Sequence, residues 1–297
     1  MTNNQLSRYG AITREIPELA PGAKVFLVSD SDDTTAGAVN IANEFPPDND
    51  GVVRVYTTIQ AASNAASANR GDVVAVLPGY DHTLGRNDSW ATAGIHIIGI
   101  GNGENRPTIR YGAIADQIDV AANYVHIKNL RFLADFDSVT IGLDLDTGFG
   151  GAHVENCVFD WDSNAQNFVT MLRNGQDNAV IENNVFRAED TAGAQVGVLL
   201  RAGIYPTVKD NFFYGQFDSV GSAAATAAGA IASDTTGAAM SGVNIKDNTI
   251  VSSDTAAGLL INIDAALTHR GVVADNKLAT YDTATADTAQ VAFGTLL

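Results

Sequence analysis

From residue 127 onward the chain repeats one six-residue pattern: apolar, polar, Asn or Asp, two variable positions, apolar. Ile127-Lys128-Asn129-Leu130-Arg131-Phe132 is followed by Val154-Glu155-Asn156-Cys157-Val158-Phe159 and Ile181-Glu182-Asn183-Asn184-Val185-Phe186. Then come Val208-Lys209-Asp210-Asn211-Phe212-Phe213, Ile245-Lys246-Asp247-Asn248-Thr249-Ile250 and Val273-Ala274-Asp275-Asn276-Lys277-Leu278. The first positions step by 27, 27, 27, 37 and 28 residues. A near-constant period of this size marks a solenoid, in which each unit buries its apolar side by stacking on its neighbours. The units are too short and too β-rich for helix pairs, and they lack the recurrent leucines of a leucine-rich repeat and the subperiod of a hexapeptide helix. A single-stranded, right-handed parallel β-helix remains, an all-β fold.

A second strand is expected after each motif: Ile141–Leu145, Phe168–Leu172, Val196–Leu200, Ala230-Ile231, Gly258–Ile263 and Val291–Phe293. The 37-residue step coincides with an Ala/Ser/Thr/Gly-rich stretch, Gly221–Gly237, read as an insertion looping out of one coil. Ile95–Ile98 and Asp72–Leu77 read as earlier rungs, which makes about eight coils and a rod on the order of 40 Å long at a strand spacing near 4.8 Å. Stacked coils place Asn129, Asn156, Asn183, Asp210, Asp247 and Asp275 in one column and Asn184, Asn211, Asn248 and Asn276 in another. Stacked amides hydrogen-bond along such a column, and Asn tolerates a left-handed corner, so both columns read as structural.

Before the rungs, Thr57–Asn69 predicts a helix capped by Thr57 or Thr58 and stopped at Gly71, placed to cover the open end of the rod. Residues 1–51 do not share the repeat and form a separate N-terminal arm; residues 52–297 form the β-helix domain. Within the arm, Lys24–Val28 reads as one strand packed over the cap, and Phe45–Gly51 as a linker. The arm is also the segment expected to dock on a partner protein.

Three segments carry a family resemblance: Val55–Ala62, Gly71–Gly79 with its Asp-Val-Val-Ala-Val-Leu-Pro run, and Ile97-Ile98-Gly99-Ile100-Gly101. With the later Val-x-Asn-Asn-x-Phe rungs they resemble pectate-lyase-like right-handed β-helix proteins over roughly residues 52 to 297, and most of all the versions encoded by tailed bacteriophages. That superfamily holds lyases, glycosidases, tailspikes and non-enzymatic virion proteins, so the likeness speaks for fold before function.

Composition narrows the choice. The net charge of −17 argues against nucleic acid and anionic membrane surfaces as partners. A single cysteine, Cys157, excludes an internal disulfide framework and reads as a small buried hydrophobe. No apolar run is long enough to span a bilayer, and Met1–Gly10 lacks the apolar core of a secretory signal.

The catalytic set of β-helix polysaccharide hydrolases (clustered Asp, Gly-His-Gly, Arg-x-Lys) does not appear here, and no catalytic, cofactor or metal residue is assigned. His82, His96, His126, His153 and His269 look dispersed, without metal-ligand spacing. The nearest candidate is a column after the second strands: Asp144, Asp146, Arg173, Arg201, Asp234 and Asp264. Stacking can bring carboxylates within the range that glycoside hydrolysis uses, but alternating Asp and Arg at strand ends also make ordinary ion pairs. Aromatics for a sugar groove are sparse; Trp90 and Trp161 lie off the column, and Phe149, Tyr205, Tyr214 and Phe217 are loop candidates. Gly99–Gly103 reads as a turn, not a nucleotide loop, because no βαβ unit surrounds it. Asp30–Asp33 is at most a weak calcium site.

The expectation is therefore a structural virion protein, a decoration (cement) protein that binds the major capsid protein on the phage head, associates as a homotrimer, needs no cofactor and is synthesised in the host cytoplasm. The alternative is a tailspike-like depolymerase, a glycosidase or lyase acting on host surface glycan.

Overall fold

The computed structural model describes residues 21–29, 52, 54–163, 165–188, 193–217, 228–234, 239–252, 259–263, 269–280 and 290–292. They form a parallel β-solenoid of about seven turns with one α-helix. Three sheets run along it, one of ten strands and two of eight, and every pairing is between parallel strands. The first sheet ends with Gly271–Ala274, the second runs from Asp81–Leu84 to Lys277–Thr280, and the third from Asp88–Ser89 to Gln290–Ala292.

Each six-residue motif is a corner, not one strand. Its first two positions close a first-sheet strand (His126–Lys128, His153–Glu155, Val180–Glu182), and its last two open a second-sheet strand (Arg131–Ala134, Val158–Trp161, Val185–Arg187). The third position turns the chain. Asn129, Asn156, Asn183, Asp210, Asp247 and Asp275 all have φ between 52° and 58°. Asn and Asp enter this left-handed region at least cost among residues with a side chain, which explains the restriction at that position. The expected second strands form the third sheet as Val139–Leu145, Phe168–Asn174, Val196–Leu200, Gly229–Ser233, Leu259–Asn262 and Gln290–Ala292. The buried strand Gly229–Ser233 sits inside the stretch expected to loop out, so at least that part of Gly221–Gly237 belongs to the coil.

Two columns fill the interior beside these corners. Phe132, Phe159, Phe186 and Phe213 are fully buried and stack face to face with centroid separations of 4.8, 4.8 and 4.7 Å. Asn184, Asn211, Asn248 and Asn276 form the amide ladder. Each Nδ2 of the first three donates to the next Oδ1 at 3.0, 3.0 and 2.9 Å. It also donates to a carbonyl of the preceding coil: Val154, Ile181 or Val208. Cys157 occupies the ladder position one coil earlier, and its N–H donates to Asn184 Oδ1 at 2.8 Å. Its side chain is fully buried, as a small hydrophobe should be.

At the N-terminal end the helix is shorter than expected, Ile59–Ala65, with Thr58 Oγ1 accepting from the Ala61 N–H. Ile59, Ala62 and Ser63 face the rod and cover its end. The strand Val25–Val28 does not lie over this cap. It is a rung of the first sheet, hydrogen-bonded between Val55–Tyr56 and Val73–Val76. Asp72 is the reason the pieces hold together: its buried carboxylate accepts from Lys24 N and Ser67 N, each at 2.8 Å, and from the Arg70 guanidinium. Burial would raise its pKa, but these donors outweigh burial and hold it below the usual carboxylate value. The strands here are apolar throughout because both faces are covered. Phe26, Val28, Val74 and Val76 face the core, whereas Leu27, Val73, Ala75, Ile98 and Ile100 form a second apolar cluster.

Gly99–Gly103, read as a turn between rungs, links the end of the strand His96–Gly99 to a short 3-10 helix, Gly103–Asn105. A Cβ on Gly99 would lie 2.1 Å from the Asn129 carbonyl oxygen, so only glycine fits there.

Candidate functional site

The outward face of the first sheet gathers the most concentrated chemistry among the described residues. Register places His96, His126 and His153 side by side on three successive strands. The rings of His126 and His153 stack at 4.6 Å, and His96 meets His126 edge-on with their Nδ1 atoms 3.2 Å apart. Two positions on, the strands of His126 and His153 carry Lys128 and Glu155, and Glu182 and Lys209 follow in register on the next two coils. Alternation along a strand returns residues i and i+2 to one face, so histidines and carboxylates share it.

These groups interlock. His126 Nε2 lies 3.1 Å from Glu155 Oε1, and His153 Nε2 lies 2.8 Å from Glu182 Oε1 and 3.9 Å from Glu155 Oε2. Lys128 Nζ sits 2.8 Å from Glu155 Oε1, and Lys209 Nζ sits 2.5 Å from Glu182 Oε2. Burial, and then the neighbouring His153, push the His126 pKa down to about 4; burial lowers that of His96. Both imidazoles are neutral at physiological pH. Glu155 and Glu182 are held below the usual carboxylate value: burial opposes this, but Lys128 and Lys209 outweigh it.

The expectation of dispersed histidines is thus overturned for these three. The intervals that carry them are coil lengths, 30 and 27 residues, not the short spacings of local metal motifs. The signal was legible: His126 and His153 each stand immediately before a motif, and Glu155 and Glu182 occupy its second position. The other two histidines stay apart. His82 stacks on Tyr80, and buried His269 accepts from Met240 N at 3.1 Å.

The Asp/Arg column splits into pairs. Asp144, only 4% exposed, is held by Arg173 in a two-pronged ion pair, Nε to Oδ1 at 2.9 Å and the second nitrogen on Oδ2. Leu199, not Arg201, stands next to Arg173 on the following coil. Arg201 approaches Asp234 at 4.0 Å, and Asp146 accepts from its neighbour Thr147 N. Asp264 and Asp30–Asp33 lie outside the described residues, as does the Phe293 end of the last expected strand. A second network, which the sequence reading did not single out, spans the second sheet. Arg110 bridges Asp81 and Asp162 at 2.7 and 2.9 Å, and Asp160 takes Arg131 and Arg187.

Three carboxylates behave differently. Burial raises the pKa of Asp88, Asp116 and Asp119. For Asp88 and Asp119 nearby acids add to the rise, while His82 and Arg86, and Gln117, respectively oppose it. Asp116 is 4% exposed, and its Oδ2 has no hydrogen-bond partner among the described residues. Of the candidate aromatics, Trp90 and Phe217 are buried in the core, Phe149 and Trp161 are half-buried, and Tyr205 and Tyr214 are exposed.

Among the described residues no helix is long and apolar enough to cross a membrane. No protein-family model matches the chain, and neither a curated protein nor a solved structure matches it.

Proposed function

We propose that this chain is a structural β-helix that works by binding: a decoration protein seated on the head of a tailed phage, where it cements neighbouring copies of the major capsid protein. One observation carries the preference for a structural role over catalysis. Members of the candidate Asp/Arg column pair with one another, Asp144 with Arg173 and Arg201 with Asp234, and Asp144 is nearly buried. The virion setting rests on the resemblance of the Val55–Ala62, Gly71–Gly79 and Ile97–Gly101 segments to phage β-helix proteins. Cementing follows from linkage: a protein that binds the assembled shell and not its parts stabilises the shell. The homotrimer rests on the same resemblance, since phage β-helices associate side by side as trimers, and closed symmetry avoids open chains. Purified chain added to bare heads should raise the temperature at which they release DNA; unchanged release would count against the proposal.

A second reading, a depolymerase of host surface glycan, is favoured by Asp88, Asp116 and Asp119, whose carboxyls burial raises above the ordinary value, the direction a glycosidase's general acid requires. Release of reducing ends from host polysaccharide by the wild type, and its loss in Asp116→Asn, would establish that reading in place of the first.

A further inference from the structure

We propose that His126, His153 and Glu155 form a binding site for a divalent transition-metal ion of the zinc class on the outer face of the first sheet, with Glu182 as a fourth ligand. One donor atom from each of the three residues lies within 4.8 Å of the others. Ligands about 2.0–2.1 Å from a tetrahedral zinc ion stand roughly 3.3 Å apart, so closing the site requires the stacked His126 and His153 rings to rotate until their nitrogens converge. Two imidazoles and carboxylates are the donor set that suits zinc over calcium or magnesium. Each donor sits on a strand: His153 and Glu155 at i and i+2 of one, His126 on the coil before and Glu182 on the coil after. Rigid strands fix donor positions better than loops do.

The neighbours fit the assignment. Without metal, the His126 Nε2–H donates to Glu155 Oε1, and Nδ1 accepts from His96. Metal binding at Nε2 requires the Nδ1–H tautomer of His126, whose Nδ1–H then donates to His96 Nδ1, while neutral His96 carries its own proton on Nε2 instead of Nδ1. His96 is thus a positioning residue that selects the tautomer. Lys128 stays on Glu155 Oε1, leaving Oε2, the oxygen nearer His153, for the ion.

The test is titration of chelator-treated full-length protein with Zn²⁺ followed by calorimetry, and with Co²⁺ followed by visible absorption. The expected result is one ion per chain, a Co²⁺ spectrum of tetrahedral intensity, and a higher melting temperature with metal. His153→Asn and Glu155→Gln should each weaken binding at least tenfold, and His96→Asn by about tenfold. His82→Asn should leave it unchanged, and millimolar Ca²⁺ should not compete. Far-UV circular dichroism identifies any variant that fails to fold, and Glu155→Gln, which keeps side-chain volume, is the one expected to fold in any case. No saturable binding by the wild type, binding indifferent to Glu155→Gln, or displacement by Ca²⁺ would overturn the proposal.

Discussion

Asn211 gives the sharpest energetic test of the ladder. It is 2% exposed and uses both ends of its amide. Nδ2 donates to Ile181 O at 2.9 Å and to Asn248 Oδ1 at 3.0 Å. Oδ1 accepts from the N–H of Asn184 at 2.9 Å and from its Nδ2 at 3.0 Å. Asn211→Ala leaves two buried groups without a partner: the Asn184 N–H and one hydrogen of its amide. At 1–3 kcal/mol for each orphan, partly relieved by relaxation, the expected loss is about 3–5 kcal/mol. Asn211→Asp keeps the shape but aims a carboxylate at two acceptors, Ile181 O and Asn248 Oδ1. At pH 7 it should cost at least as much as Ala. The two substitutions then separate by pH. A buried carboxylate has a folded pKa above its unfolded value, so its penalty is full at high pH and shrinks as pH falls through the folded pKa. Asn211→Asp should therefore regain stability relative to Asn211→Ala on going from pH 7 to pH 4. Urea denaturation read by circular dichroism, with the slope on denaturant checked for constancy, measures both. A loss below about 1 kcal/mol for Asn211→Ala, or an Asn211→Asp protein as stable as wild type at pH 7, would refute the ladder as a stabilising element.

Further outcomes follow from the same structure. Phe186→Ala, in the middle of the buried stack, should destabilise by about 3–5 kcal/mol and Phe186→Leu by clearly less, by the same urea assay. Asp72→Ala should destabilise by several kcal/mol, because it strands the donors of Lys24, Ser67 and Arg70. Since the folded pKa of Asp72 is lowered, its contribution is present above the ordinary value of 3.8 and lost as pH falls through the lower folded value, so wild type should lose stability in that range and Asp72→Ala less. The Cys157 thiol, buried with its pKa pushed up to about 12, should resist thiol reagents at pH 8 in the native protein and react fully in denaturant.

Much of this architecture was legible because a solenoid turns sequence period into spatial neighbourhood. The spacing of the Val-x-Asn-Asn-x-Phe motifs placed the amide column, and the six Asn and Asp residues at the third motif position all adopt left-handed φ. The helix was placed but overextended: its alanine-rich sequence continues past Ala65, yet Asp72 draws the Ser67 N–H out of helical pairing. Val25–Val28 stood outside the repeat because nothing local says which sheet a lone apolar strand will join. The His126–His153–Glu155 cluster went unread for a related reason. Its members are neighbours across coils, and a search for short ligand spacings cannot see a distance that equals one turn of the rod. Conversely, the Asp/Arg column reads as one site because charged residues recur after the second strand of successive coils, whereas register sets Arg173 beside Leu199 and divides the column into pairs.

The placement of Val25–Val28 also changes how the proposed docking arm is tested. Removing residues 1–51 would take out a rung of the first sheet, so loss of binding could not be assigned to the arm; removing residues 1–20 leaves that strand in place. The most direct measurement is co-sedimentation of the full chain with mature heads and with empty precursor shells, counting bound copies. The account predicts saturable binding to mature heads at a fixed ratio to the capsid subunit. No binding to either particle would contradict it.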